Sequence, residues 1–159
     1  MAMQNEIFDE TAIFACMRAS GARFLLIGRK ALVAYGAPVM TADYDVWLHI
    51  DDIEAFNYAL FPMDFASNWD SATAHARGRY VLEGGDRIDV LVARACSTPA
   101  GVALGFDEAF ARSVSLGEGE GAVQLPCIAD LITTKEWASR PKDIVDIAYL
   151  RALHKSGLP

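Results

Sequence analysis

The chain has 159 residues, room for one ordinary domain with a real core, and a hydrophobic content of 53% with mean hydropathy +0.19 excludes a disordered chain. No apolar run approaches the roughly 20 residues that span a bilayer, so no membrane-crossing helix is expected. A net charge of −7 and a pI near 4.8 argue against a broad phosphate-neutralising surface for nucleic acid, although a local basic patch fits these numbers.

Residues 7–19 carry Ile7, Phe8, Ile13, Phe14 and Met17 at mixed helical spacings, which predicts a helix ending before Ser20 and Gly21. The opening stretch has acids and lacks the basic start and apolar centre of a secretory signal, so a cytoplasmic protein is expected. A short strand over 23–27 and a helix over 29–35, stopped by Gly36 and Pro38, come next. Residues 44–50 read as a second strand, with Asp51 as N-cap of a helix over 52–60 that Pro62 ends. Residues 64–77 are ambiguous. The stretch 78–93 reads as a β-hairpin around Gly84, Gly85 and Asp86.

A helix is expected near 99–104 and a short helical or irregular stretch over 106–112. Residues 113–116 and 122–125 suggest a small hairpin about the GEGEG turn at 117–121. After Pro126 two helices divide at Arg140 and Pro141, with Pro141 suited to a first helical turn. The first carries Ile128, Leu131 and Ile132; the second carries Ile144, Ile147, Ala148 and Leu150 to Leu153, each expected to pack an apolar stripe on a sheet. The expected fold is α/β (α+β), a mixed twisted sheet with packed helices. It is one domain over 1–159, with a core at about 23–93 and a C-terminal helical part at about 127–155 closing one side of a cleft.

The acids carry the chemistry. Asp43 and Asp45 stand two apart in a strand-like run, so both side chains project to one face, and such a pair stays ionised where a cation offsets its repulsion. Asp89 lies in the second strand of the hairpin between Ile88 and Val90, where a charge needs a partner, an edge or a metal; Arg87, two residues away, offers a salt bridge instead. Oxygen donors of this kind suit Mg²⁺, or Mn²⁺, held together with substrate phosphates. Arg23, Arg29, Lys30, Arg77, Arg79 and Arg87 fall in the same segments and could offset a nucleotide triphosphate. Arg140, Lys142, Asp143 and Asp146 read as a surface ladder of helix ion pairs. Trp47, Trp69 and Trp137 read as core or cleft wall. His49, His75 and His154 have no metal-ligand spacing, the Asp51-Asp52 pair reads as capping, and Cys16, Cys96 and Cys127 support neither disulfides nor zinc.

In this order, strand, Gly28 turn, helix, Asp43-Tyr44-Asp45 and Asp89 in RIDVL, the chain resembles the nucleotidyltransferase superfamily, the fold of DNA polymerase beta and the kanamycin nucleotidyltransferases. Leu131, Ile132, Lys135, Arg140, Lys142, Asp143, Asp146 and Leu150 extend the likeness towards small bacterial AbiEii-type toxins and the DUF6036 group. The resemblance implies two Mg²⁺ ions on Asp43 and Asp45, with Asp89 on the ion that activates the attacking hydroxyl. It also implies nucleotide contacts from Gly28, Arg29, Lys30, Lys135 and Lys142. The implied activity is transfer of a nucleoside monophosphate from an NTP to a hydroxyl on a small molecule, protein or tRNA. Two departures stand out: Arg29 replaces the usual Gly or Ser of the turn, and the basic residue that relatives often carry a few places before the first aspartate is missing from residues 38–42. A nucleotide-binding or regulatory module without turnover, and the toxin of a toxin–antitoxin pair with an antitoxin partner, are the alternatives.

Overall fold

The computed structural model describes residues 2–119, 122–138 and 140–157, with side chains from residue 10 onward. Glu120 and Gly121 of the GEGEG turn, and the side chains of Ile7 and Phe8, lie outside the described residues.

Five strands form the main sheet: β1 (Phe24–Ile27), β2 (Tyr44–Leu48), β3 (Ala66–Ser67), β4 (Arg79–Glu83) and β5 (Arg87–Leu91). Their spatial order is β1-β2-β5-β4-β3, antiparallel throughout except for the central β2–β5 pair, which is parallel. The sheet is therefore mixed. Strand alternation sends Phe24, Leu26, Tyr44, Val46, Leu48, Tyr80, Leu82, Ile88 and Val90 to one face, and all are buried. They meet Ile13, Phe14 and Met17 of α1 (Ala2–Ala19) and Ile53, Phe56 and Leu60 of α3 (Ile53–Leu60) in one core. Burial at about 1.5–3 kcal/mol per large apolar side chain makes this face the main source of stability.

The opposite face is divided. Leu25 and Trp47 are covered by Phe106 of α5 (Phe106–Ala111), and Trp137 of α6 (Ile128–Ala138) packs edge-on against Trp47 at 4.9 Å between ring centroids. The other end of that face stays open as a cleft. α2 (Gly28–Ala34) leaves β1 directly, and α7 (Pro141–Lys155) follows α6 and packs on it.

Several elements differ from expectation. Residues 64–77 resolve into β3 and α4 (Ser71–Arg77), the helix capped by the Asp70 carboxylate on the Thr73 amide at 2.7 Å and closed by Gly78 at φ +76°. No helix forms near 99–104; β6 (Ala95–Ser97) and β7 (Ala103–Gly105) pair there, because Pro99 and Gly101 make the turn of a hairpin. Asp51 does not cap a helix: the His49 imidazole accepts its amide, residues 50–52 form a 3₁₀ turn, and the Asp52 carboxylate is taken by Arg23. β8 (Val114–Leu116) and β9 (Val123–Leu125) pair as expected.

α7 departs furthest. Its buried positions are Asp143, Asp146 and Leu150, whereas Ile144 and Val145 are exposed. The apolar stripe assigned to Ile144 thus faces water, and the acids assigned to a surface ladder face inward. The physical reason is a set of cations that the fold brings to them. Lys135 on α6 is itself buried and places its ammonium 3.0 Å from Asp146 and 3.9 Å from Asp143. Arg29 Nε reaches Asp146 at 3.4 Å, and Arg140 Nε donates to Asp143 at 3.0 Å. Charges of both signs are therefore sequestered together, where neither would be stable alone.

Candidate active site

The open end of the sheet carries one polar row. Strand register places Ile27, Asp45, Asp89 and Val81 side by side across β1, β2, β5 and β4. Asp45 and Asp89 are direct neighbours on the parallel pair, and equal register puts both carboxylates on the same face. A cleft of about 510 Å³ opens over them, walled by Asn68, Trp69, Arg79, Arg87 and Arg140.

Asp45 is held by a close backbone contact. Gly28 adopts φ +68°, and a Cβ added there would lie 2.9 Å from both Cβ and Cγ of Asp45 and closer still to Oδ2. Glycine is therefore required twice, for the left-handed backbone and for the space that the carboxylate fills. Burial raises the Asp45 pKa above the ordinary carboxylate value, reinforced by the charges of Asp89 and Asp43 and partly offset by Arg140 and Lys135. A carboxyl raised in this way stabilises the fold below its ordinary pKa, and that contribution disappears as pH rises through the folded-state value. Asp45→Asn is thus expected to unfold at a higher temperature than the parent at neutral pH. The difference should shrink as the pH falls below the ordinary carboxylate range, as scanning calorimetry at several pH values would read. A neutral-pH Tm below that of the parent would contradict the field described here.

The remaining acids are less enclosed. Asp43 is exposed in the loop, one residue before β2, so the strand-like run read through both aspartates begins only at Tyr44. Asp89 is half-exposed, and Arg87 donates to its Oδ1 from Nη2 at 3.0 Å and Nε at 3.3 Å, the ion pair anticipated as its alternative partner. Among the described residues, no three His, Cys, Asp or Glu side chains stand close enough to enclose a metal ion. The three acids do not form a closed cage. The donor set still fits a hard divalent cation, since Mg²⁺ is usually held by one or two carboxylates together with substrate phosphates and water.

The basic residues named from the sequence scatter. Gly28 packs on Asp45, while Arg29 turns to Asp146. Lys30 sits over the Tyr44 ring at 4.6 Å and pairs with Glu10 at 2.8 Å, on the helix-covered side of the sheet. Lys135 is sealed in the ion cluster with Asp146, and Lys142 is exposed on the first turn of α7. The cations that line the cleft are Arg79, Arg87 and Arg140, none of them among the residues from which nucleotide contacts were expected; Arg79 and Arg87 belong to the basic residues noted in the sequence, and Arg140 to the expected surface ladder. The place of Arg140 at the division between the last two helices was visible, but nothing local showed that this division returns to the sheet. Trp47 is fully buried, so it is core, whereas Trp69 lines the cleft.

No protein-family model and no functionally curated protein matches the chain in sequence. Solved structures do match in shape. The lincosamide antibiotic adenylyltransferase LnuA, solved with lincomycin bound, superposes with a TM-score of 0.57 at 14% identity over 85% of this chain and 89% of that one. The antibiotic-resistance factor ANT(2'')-Ia gives 0.54 at 11% identity, covering 98% and 92%. A candidate nucleotidyltransferase of Thermotoga maritima, TM1012, gives 0.57 at 9% identity, again over 98% and 92%. The chain has the nucleotidyltransferase fold. At these identities the likeness concerns the fold, and chemistry has to be argued from the cleft. Among the described residues no helix is long and apolar enough to cross a membrane.

Proposed function

We propose that the chain is a metal-dependent nucleotidyltransferase that moves a nucleoside monophosphate from an NTP to a hydroxyl acceptor, with Asp45, Asp89 and Asp43 as its carboxylates. The observation that carries this reading is the Asp45–Asp89 pair. Two acids sit side by side on neighbouring strands at the floor of a cleft, one of them held against a left-handed glycine, where burial first and then the other's charge disfavour its ionised form. Such a field is relieved by a bound cation. Mg²⁺ or Mn²⁺ on these carboxylates would supply neutralisation of phosphate charge and polarisation of the exchanging oxygens.

The chain's own residues provide positioning. Gly28 fixes where the Asp45 carboxylate stands. Arg87 holds Asp89 in the free protein, and because this ion pair is half-exposed it is worth at most about 1 kcal/mol and opens readily. Arg140 lines the cleft at the start of α7; Asp143 holds its Nε and Nη2, which leaves the outer edge of the guanidinium for phosphate oxygens, with Lys142 two residues on. Lys135 acts from beneath, through its charge on Asp45. Arg29, whose bulk in the turn suggested a module without turnover, is tied to Asp146, so its guanidinium is engaged on α7. The finer kinship with AbiEii-type and DUF6036 proteins, and a toxin role beside an antitoxin, rest on motif order alone.

Thermal unfolding with each of the four NTPs, with and without Mg²⁺ or Mn²⁺, tests the reading. A ligand at about a hundred times its Kd adds roughly 2.7 kcal/mol, and each kcal/mol moves Tm by about 2–4 °C in a chain of this size. The expected result is a metal-dependent shift of several degrees with at least one NTP that Asp45→Ala and Asp89→Ala both abolish. No shift with any NTP would overturn it.

A further inference from the structure

The carboxylate pair divides the cleft into two unlike halves. On the β1 side stand the Gly28 turn and Arg140; on the β4 side stand Asn68, Trp69 and Arg79. β4 is two strands from β2 and Arg79 stands two register positions along from the row of Asp45 and Asp89, so it belongs to a region about 12 Å from Asp45 over the sheet. That half is built rather than incidental. The Asn68 side-chain oxygen accepts the Val81 amide at 2.8 Å and the Asn68 amide donates to the Val81 carbonyl at 3.0 Å, which clamps the Trp69 loop to β4. Arg77 stacks its guanidinium over the Trp69 ring at 4.2 Å and fixes the ring's orientation.

Arg79 differs from the other cleft arginines. Arg87 is matched by Asp89 and Arg140 by Asp143, whereas Arg79 has no ion-pair partner among the described residues. The cleft lining carries three arginines against two aspartates, in a chain whose net charge is −7. The local sign is thus reversed, and the uncompensated cation lies in the half that a nucleotide over Gly28 and Arg140 would leave open.

Resting on the nucleotidyltransferase reading, we propose that this half is the acceptor subsite and takes a small hydroxyl compound bearing a flat ring and an anionic group, phosphate or carboxylate. The ring lies against Trp69 and the anion pairs with Arg79. The acceptor hydroxyl is thereby presented at Asp89, the carboxylate nearer this side. A cationic acceptor meets Arg79 and the Arg77–Trp69 stack unfavourably and is rejected.

The test uses ring probes that differ in charge: phenyl phosphate, benzyl alcohol and benzylamine, titrated into the ¹⁵N-labelled chain while the Trp69 indole N–H resonance is followed, assigned with Trp69→Phe. Phenyl phosphate is expected to move that resonance, and Arg79→Gln to weaken its binding by roughly ten-fold or more, the scale of losing one charge-assisted contact. Arg79→Lys should recover part of the loss, because a point charge survives without the planar fork. Asp45→Asn should retain phenyl phosphate binding even though it removes the metal-dependent NTP shift, which separates this inference from the reading beneath it. Equal binding of the neutral or cationic probe, binding indifferent to Arg79→Gln, or no movement of Trp69 with phenyl phosphate up to its solubility would each overturn the proposal.

Discussion

Asp146→Ala is expected to destabilise the protein by about 3–5 kcal/mol, the range for removing one member of a buried ion cluster. Asp146 is 2% exposed and serves two cations from different parts of the chain, Lys135 Nζ at 3.0 Å and Arg29 Nε at 3.4 Å. Without it a buried ammonium keeps only Asp143 at 3.9 Å, beyond hydrogen-bond distance. Chemical denaturation measures the loss directly. Pairing the change with Lys135→Met should restore much of it, because apolar groups of similar volume often replace a buried ion pair at little cost. A loss below about 1 kcal/mol for Asp146→Ala alone would mean that the cluster is solvated and that α7 is not anchored through it. The same cluster predicts acid sensitivity. Burial works to raise the Asp143 pKa, but hydrogen bonds from the Arg140 side chain and backbone, with the charges of Arg140 and Lys135, hold it below the ordinary value. A depressed carboxyl adds stability above its unfolded pKa and loses it as pH falls through the folded one.

Gly28→Ala should be more damaging than the same change at a glycine that shares its backbone conformation but has open space. A left-handed backbone costs a non-glycine residue about 1–2 kcal/mol by itself. Here the methyl would also overlap the Asp45 side chain, whose Cβ and Cγ lie 2.9 Å from the position it would take. The control is Gly21→Ala, where φ is +71° and nothing lies within 4 Å of the added carbon. Both variants carry the backbone strain, and only the first displaces a carboxylate. Gly21→Ala is expected to lower Tm by a few degrees and leave metal-dependent NTP binding intact; Gly28→Ala should lower Tm further and abolish binding. Equal Tm losses with binding retained in both would show that Asp45 relaxes without consequence.

The strands at 24–27 and 44–48 and the hairpin at 79–91 were legible as apolar-rich runs of strand length bounded by turn residues, Gly28 after the first and Gly84, Gly85 and Asp86 within the hairpin. The division of the last two helices was legible from Pro141. The ion cluster was not. Asp143 and Asp146 stand three apart, a spacing that suits a solvated ladder and a buried network equally, and only the packing of α7 on Lys135 decides between them. Arg29 could not be interpreted locally, since its partner lies 117 residues away. The hairpin at 95–105 consists of three-residue strands, too short for periodicity to show, although Pro99 and Gly101 marked its turn. In the cleft floor, Asp45 and Asp89 stood out in the sequence because each charge interrupts an apolar run. Arg140 and the Trp69 wall needed the tertiary fold.

The parallel pairing of β2 with β5 has a kinetic consequence. The two strands that carry Asp45 and Asp89 are separated in sequence by α3, α4 and the β3–β4 strands, so the pair cannot form from a local hairpin. Loop-closure entropy grows with sequence separation, so this pairing is made after the local hairpins. A chain that has collapsed around its local hairpins would therefore carry neither the paired carboxylates nor their mutual repulsion, and ligand capacity should return in refolding later than the secondary structure of those hairpins.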